Sequence, residues 1–217
     1  MDILKKLTEE FPIREDRAQN IIQLIDEGNT IPFIARYRKE MTGSCDDQVL
    51  RALSDRLTYL RNLEKRKEEV SSAIGEQGKL TDEIKAALEK AVTLTEVEDI
   101  YRPYKQKRKT RASVAVAKGL QPLADAILAQ DKALDVRREA EKYITEEVKT
   151  ADEAIAGAQD IIAEIISDDA ATRKKIRNFF FNHGEIASSY VKGKEAEDEA
   201  KTYEMYKAYS EPVSEIK

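Results

Sequence analysis

Residues 46–63 read Asp46-Asp47-Gln48-Val49-Leu50-Arg51-Ala52-Leu53-Ser54-Asp55-Arg56-Leu57-Thr58-Tyr59-Leu60-Arg61-Asn62-Leu63, and this stretch decides the fold class. Apolar residues return at 49, 50, 53, 57, 60 and 63, in the steps of three and four that line one face of a helix. Asp46 and Asp47 stand where a helix N-terminus favours negative charge. The stripe predicts a helix over 46–77. In its middle, Glu64 to Glu69 are six consecutive charges, so that stretch is expected in solvent before Val70, Ala73 and Ile74 resume packing.

Outward from this helix the same period recurs. Ile3, Leu4 and Leu7, then Ala18, Ile21, Ile22, Leu24 and Ile25, predict a helical pair closed by Gly28-Asn29. Pro32 is expected to hold Ile31 extended, with Gly43-Ser44 ending the next segment. Downstream, a short helix is expected near 82–91, and Thr95 with Glu98 match a capping box. The segment 104–113 has no apolar stripe and reads as an extended loop. Helices are expected from Pro122 and over 134–144, and one long helix over 152–182. That last helix reads as an ordinary core helix rather than a coiled-coil seam, because Asp169 and Thr172 interrupt its series. A strand over 185–191 and a charged helical tail over 194–209 complete the pattern. With 36% charged and 6% aromatic residues and no Trp, the composition suits helix better than an all-β fold. The expected class is mainly α: a multi-helix assembly with long helices and at most one or two short strands near 185–191. Two regions are expected, a helical region over 1–150 with helix-turn-helix-like packing, and a long helix with a connection over 151–217.

The net charge of −5 gives the whole chain no attraction to phosphate, so any nucleic-acid contact must be local. The charge is polarised: nine acids stand against two lysines over 141–169, and seven bases against Asp99 over 99–120. The densest segment is Lys105-Gln106-Lys107-Arg108-Lys109-Thr110-Arg111, with Tyr101 and Tyr104 just upstream. Such cations replace the counterions of phosphate and aromatic faces stack on unpaired bases, so Lys105, Lys107, Arg108, Lys109 and Arg111 are candidate phosphate contacts and Tyr104 a candidate stacking platform. Two plainer readings stay open: a solvated loop, or a loop docked on the acidic 141–169 segment as an internal clasp. Arg36, Arg38 and Lys39, beside Phe33 and Tyr37, form a smaller basic group that extends the candidate surface, unless Ile34 and Tyr37 pack inward and the bases merely reach water along their stems. Arg173, Lys174, Lys175 and Arg177 are read as cations in the last turns of a long helix, where they suit its dipole without any ligand.

Catalytic material is sparse. One cysteine, Cys45, and one histidine, His183, rule out Cys/His zinc fingers and multi-cysteine clusters and leave a cysteine–histidine or serine–histidine pair without a surrounding motif. No Gly-rich phosphate loop is present. No enzyme activity, metal or cofactor is expected. Without a signal-like N-terminus or a run of roughly 20 apolar residues, the expectation is a soluble cytoplasmic protein with no membrane partner.

Several blocks, taken in order, resemble one family. Ile31-Pro32-Phe33-Ile34-Ala35-Arg36-Tyr37-Arg38-Lys39-Glu40 with Thr42-Gly43 is similar to the N-terminal signature of Tex proteins, bacterial relatives of a eukaryotic transcription elongation factor. Leu50-Arg51-Ala52-Leu53, Arg56 to Arg61 and Glu64-Lys65-Arg66-Lys67 resemble the next block. Glu98-Asp99-Ile100-Tyr101, Pro103-Tyr104-Lys105, Lys107-Arg108, Thr110-Arg111-Ala112 and Lys118 to Ala124 resemble a third, and Tyr209-Ser210-Glu211-Pro212 the edge of a further region. Arg102 departs from the pattern, where an apolar residue is expected. The resemblance implies a longer parent with an RNase H-like domain, helix-hairpin-helix elements and an OB-fold that is the main nucleic-acid binder. It implies for this chain a helical scaffold and accessory RNA or DNA contact in transcription. The alternative is a protein-interaction module that docks the remaining Tex domains or the transcription machinery.

Overall fold

The computed structural model describes residues 2–193 and 202–216. The protein is mainly α-helical and divides into two compact units, Met1–Tyr101 and Arg102–Lys217. In the first unit, α1 (Ile3–Glu10) and α2 (Glu15–Asp26) form the expected pair, and Gly28 turns the chain at a left-handed φ of 82°. α3 (Ile31–Tyr37) corrects one expectation: Thr30 is the extended residue and Ile31 already opens the helix. Pro32 is tolerated there because the N–H it lacks has no helical partner in the first turn. After the single turn α4 (Lys39–Thr42), Gly43 takes φ 71° and ends the segment.

α5 (Asp47–Glu76) is the predicted long helix, and the Asp46 carboxylate caps it by accepting the Val49 N–H at 2.8 Å. Leu50, Leu53, Leu57 and Leu60 are buried with Leu7, Ile21, Leu24 and Ile34, so α1, α2 and α3 close over one face of α5. The charged middle does not stand free in solvent as expected. Leu63, Lys67, Val70 and Ile74 continue the buried stripe. The Lys67 stem fills an apolar position while its Nζ meets Glu64 at 2.9 Å and donates to the Glu89 carbonyl at 3.2 Å. α6 (Asp82–Lys90) and α7 (Leu94–Tyr101) follow. The cap of α7 lies two residues earlier than expected: Thr93 Oγ1 accepts the Glu96 N–H, and Glu96 accepts the Val92 N–H. Thr93 to Glu96 has the same spacing as Thr95 to Glu98, and the placement of the helix start chooses between them.

Two guanidinium–carboxylate forks fasten this unit, Arg56 on Glu10 (2.6 and 2.7 Å) and Arg61 on Asp26 (2.7 and 2.8 Å). Hydrogen bonds from Arg56 hold the Glu10 carboxyl below its ordinary range, and Arg61 does the same for Asp26. A carboxyl whose folded pKa is lowered stabilises the fold above its unfolded value and loses that stability as pH falls through the folded one. Stability will therefore drop from about pH 5 downward. Urea titrations at stepped pH will show a smaller drop in a variant carrying Arg56→Gln and Arg61→Gln.

In the second unit, α8 (Arg111–Ala117), α9 (Gln121–Leu128) and α10 (Val136–Ala140) pack around α11 (Ala151–Asp168). Their core is built largely from small residues, Ala112, Ala115, Ala124, Ala140, Ala154 and Ala158, with Leu120, Leu123, Val148 and Ile161. Small side chains let the helices approach closely. At Gly157 of α11 a Cβ would run into Leu120 Cδ1 and sit 3.3 Å from Ala115 Cβ. Although glycine is a poor helix former, Gly157→Val will cost about 1–3 kcal/mol through overpacking, read as a lower urea midpoint by circular dichroism.

The helix expected over 152–182 is two helices. Asp169 ends α11 and caps α12 (Ala170–His183) by accepting the Thr172 N–H, so the Asp169–Thr172 interruption is a helix start. The Thr172 hydrogen bond holds the Asp169 carboxyl below its ordinary range. Arg173, Lys174 and Lys175 consequently lie in the first half of α12, and Arg177 just past its middle, rather than in the last turns of a longer helix, so the helix dipole does not account for them. β1 (Glu185–Ser189) pairs antiparallel with β2 (Ala208–Pro212), Glu185 opposite Pro212. The expected helical tail is corrected: 194–201 lie outside the described residues, 204–206 form a single 3₁₀ turn, and 208–212 are strand. No helix among the described residues is long and apolar enough to cross a membrane.

Candidate functional site

α7 runs into a 3₁₀ turn at Arg102–Tyr104, after which 105–110 form the basic loop. The loop ends sooner than expected. α8 starts at Arg111, with the Thr110 hydroxyl accepting the Ser113 N–H at 3.0 Å and the Ser113 hydroxyl accepting the Thr110 N–H at 2.8 Å. This reciprocal cap uses serine where the familiar pattern has Glu or Gln, which hid it in the sequence. Arg111 therefore sits on the first turn of a helix, where a cation opposes the dipole.

The bases fall into two groups. Arg102 Nε donates to Asp168 Oδ1 at 2.8 Å. Lys107 Nζ binds Asp168 Oδ2 and lies 3.3 Å from Glu164. Arg111 Nε lies 3.4 Å from Asp160. The three carboxylates are four residues apart, so they stack on one face of α11 and meet the loop as a ladder. Asp168 is the anchor, its side chain 10% exposed between two cations, whereas the Arg111 side chain is 88% exposed and its pair correspondingly weak. By contrast Lys105, Arg108 and Lys109 are exposed and carry no ion pair among the described residues. Tyr104 is half-buried.

Arg102 thus has a structural role where the family resemblance leads one to expect an apolar side chain: it neutralises Asp168. Asp160, Glu164 and Asp168 were visible in the sequence only as part of an acidic run. Their four-residue spacing was the signal that they act together.

The smaller basic group lies in the first unit. Ile34 is buried, but Tyr37 is 58% exposed rather than packed inward. The Phe33 and Tyr37 ring centroids are 5.2 Å apart, and the Arg38 guanidinium lies 5.4 Å from the Phe33 ring. Arg36 and Lys39 are exposed. Tyr101 has Arg66 5.5 Å from its ring. At the catalytic alternatives, Cys45 donates to the Thr42 carbonyl at 3.1 Å, and burial pushes its thiol pKa up, away from reactivity. His183 closes α12 with its ring 4.9 Å from that of Phe179.

The Tex-like protein N-terminal domain model matches residues 1–75 and the Tex central region-like model matches residues 131–217. The basic loop lies between them. The chain is 49% identical over 214 residues to the uncharacterized protein YdcI of Bacillus subtilis, covering 98% of this chain and 30% of that protein. It is 45% identical over 199 residues to the transcriptional accessory protein Tex of Neisseria gonorrhoeae, covering 92% of this chain and 26% of that one. It is 34% identical over 181 residues to the human S1 RNA-binding domain-containing protein 1, covering 82% of this chain and 18% of that one. The chain therefore spans less than a third of the length of these curated relatives. With both Tex models matched in order and these relatives aligned along most of its length, the chain belongs to the Tex family.

Proposed function

We propose that this chain is a non-enzymatic helical scaffold, working in the cytoplasm, that supplies an accessory contact to the backbone of RNA or DNA during transcription. The observation that carries the reading is the crowding of Lys105, Arg108 and Lys109 on one exposed loop whose neighbouring cations are already paired with carboxylates of α11. Cations without local partners bind phosphate by releasing its counterions. Tyr104 is the adjoining candidate for stacking, and Arg36, Arg38 and Lys39 form a second, weaker basic patch beside exposed rings. The names of two relatives, a transcriptional accessory protein and an S1 RNA-binding domain-containing protein, support the same class of role.

Electrophoretic mobility titration against single-stranded and duplex probes tests this reading. All five candidate loop cations would give a log–log salt slope of roughly −3.5 on single strands, and the three unpaired ones roughly −2.1. The second value is expected. An absence of binding at low salt would contradict the reading.

A second reading has its own observation. Ile176, Phe179, Phe180 and Phe181 of α12 and Ile186 of β1 are each at least half exposed, an apolar surface of the kind that docks protein. On this reading the chain docks the remaining Tex domains or the transcription machinery. Failure of the chain to bind nucleic acid, with co-purification alongside the downstream domains of a Tex relative, would favour it.

A further inference from the structure

We infer that the Asp160–Glu164–Asp168 ladder is an internal competitor for nucleic-acid phosphate, holding Arg102, Lys107 and Arg111 in reserve beside the three cations that carry no ion pair among the described residues. This inference rests on the nucleic-acid reading and adds a latent half to its binding surface.

Three features of α11 point this way. The helix contains no Lys or Arg, so its carboxylates have no cation of their own helix to answer them. Like charges four residues apart repel, and Asp168 stands in its last turn with Glu164 one turn before it, toward the end where the helix dipole is already negative. Acids in that position do not help the helix. What answers them is the loop and its two flanks, through Arg102 of the preceding turn and Lys107 at Asp168, Lys107 at Glu164 and Arg111 of α8 at Asp160.

The loop is held by charge rather than by apolar packing. Residues 105–109 are all exposed, and a cleft of about 520 Å³ remains between the loop and α11. A contact made of ion pairs over an open cleft is one that another polyanion can enter. Phosphates arriving on Lys105, Arg108 and Lys109 are placed next to the ladder and compete with it for Lys107 and Arg111. Such an exchange returns counterions to the vacated carboxylates, so the wild-type salt slope stays near that of three net contacts, roughly −2.1.

The experiment compares the wild type with Asp160→Asn/Glu164→Gln/Asp168→Asn, and with a control of equal charge change in the same acidic segment, Glu141→Gln/Glu146→Gln/Glu147→Gln. Without nucleic acid, trypsin will nick 105–111 several-fold faster in the ladder variant than in the wild type or the control. With a single-stranded probe, six free cations will steepen the slope to roughly −4.2 and tighten binding at low salt at least tenfold, beyond any effect of the control. Because Asp168 is buried, Asp160→Asn/Glu164→Gln serves as a milder variant. It frees Arg111 and gives a slope of roughly −2.8. Equal nicking, slope and affinity in the ladder variants, the control and a wild type that does bind would overturn the competitor role alone. Faster nicking with no binding by any of the proteins would overturn it together with the function on which it rests.

Discussion

Leu60→Ala will lower the unfolding free energy by about 2–5 kcal/mol, the largest stability loss expected from a single truncation in the first unit. Leu60 is fully buried at the centre of the α5 stripe, among Leu7, Ile21, Leu24, Ile34, Leu50, Leu53 and Leu57. Removing its isobutyl group forfeits the transfer of those carbons out of water and leaves a cavity. Neighbours on four helices can fill that cavity only in part. Since domains of this size are stable by about 5–15 kcal/mol, the loss is a large fraction of the total. Two substitutions calibrate it in the same urea experiment. Leu60→Met keeps the volume and will cost less than about 1.5 kcal/mol. Glu68→Ala, exposed on the same helix, will stay within about 0.5 kcal/mol. Equal midpoints for Leu60→Ala and Glu68→Ala would mean that this stripe is not the core.

Most of the architecture was legible because periodicity and caps are local. The α5 stripe, the α1–α2 pair and the glycine turns at 28 and 43 follow from residues within one or two turns of one another. Where the reading failed, a local rule was outvoted by packing or had a close competitor. Lys67 reads as solvent by charge, yet its stem is the right length to continue an apolar stripe. Asp169 reads as a defect in a long helix, although Asp169 and Thr172 have the spacing of an N-cap and its partner. β2 has no strong pattern of its own, and its pairing with β1 bridges more than a dozen residues, which no local window contains. The site divides in the same way. The cluster of cations in 105–111 is written in the sequence. Which of them are spent on Asp160, Glu164 and Asp168 depends on how α11 packs against α8 and the turn before the loop.

Charge reversal at the three unspent positions, Lys105→Glu, Arg108→Glu and Lys109→Glu, will abolish nucleic-acid binding with little effect on the fold. These side chains are exposed and make no ion pair among the described residues, so their loss disturbs no packing. Three contacts on a single strand contribute, by counterion release alone, roughly 500-fold in affinity at 50 mM salt relative to 1 M, and the reversed charges add repulsion. Reversing Arg173, Lys174 and Lys175 instead will leave most of the affinity in place, because those bases belong to α12 rather than to the loop.

The salt dependence of binding to a single-stranded oligonucleotide between 50 and 200 mM, measured for the wild type and this triple variant side by side, tests the central claim most directly. A roughly 20-fold weakening of the wild type across that range, with no measurable binding by the variant at its low end, is the expected result. Equal affinities and equal slopes for the two proteins would show that the 105–111 loop does not carry the contact.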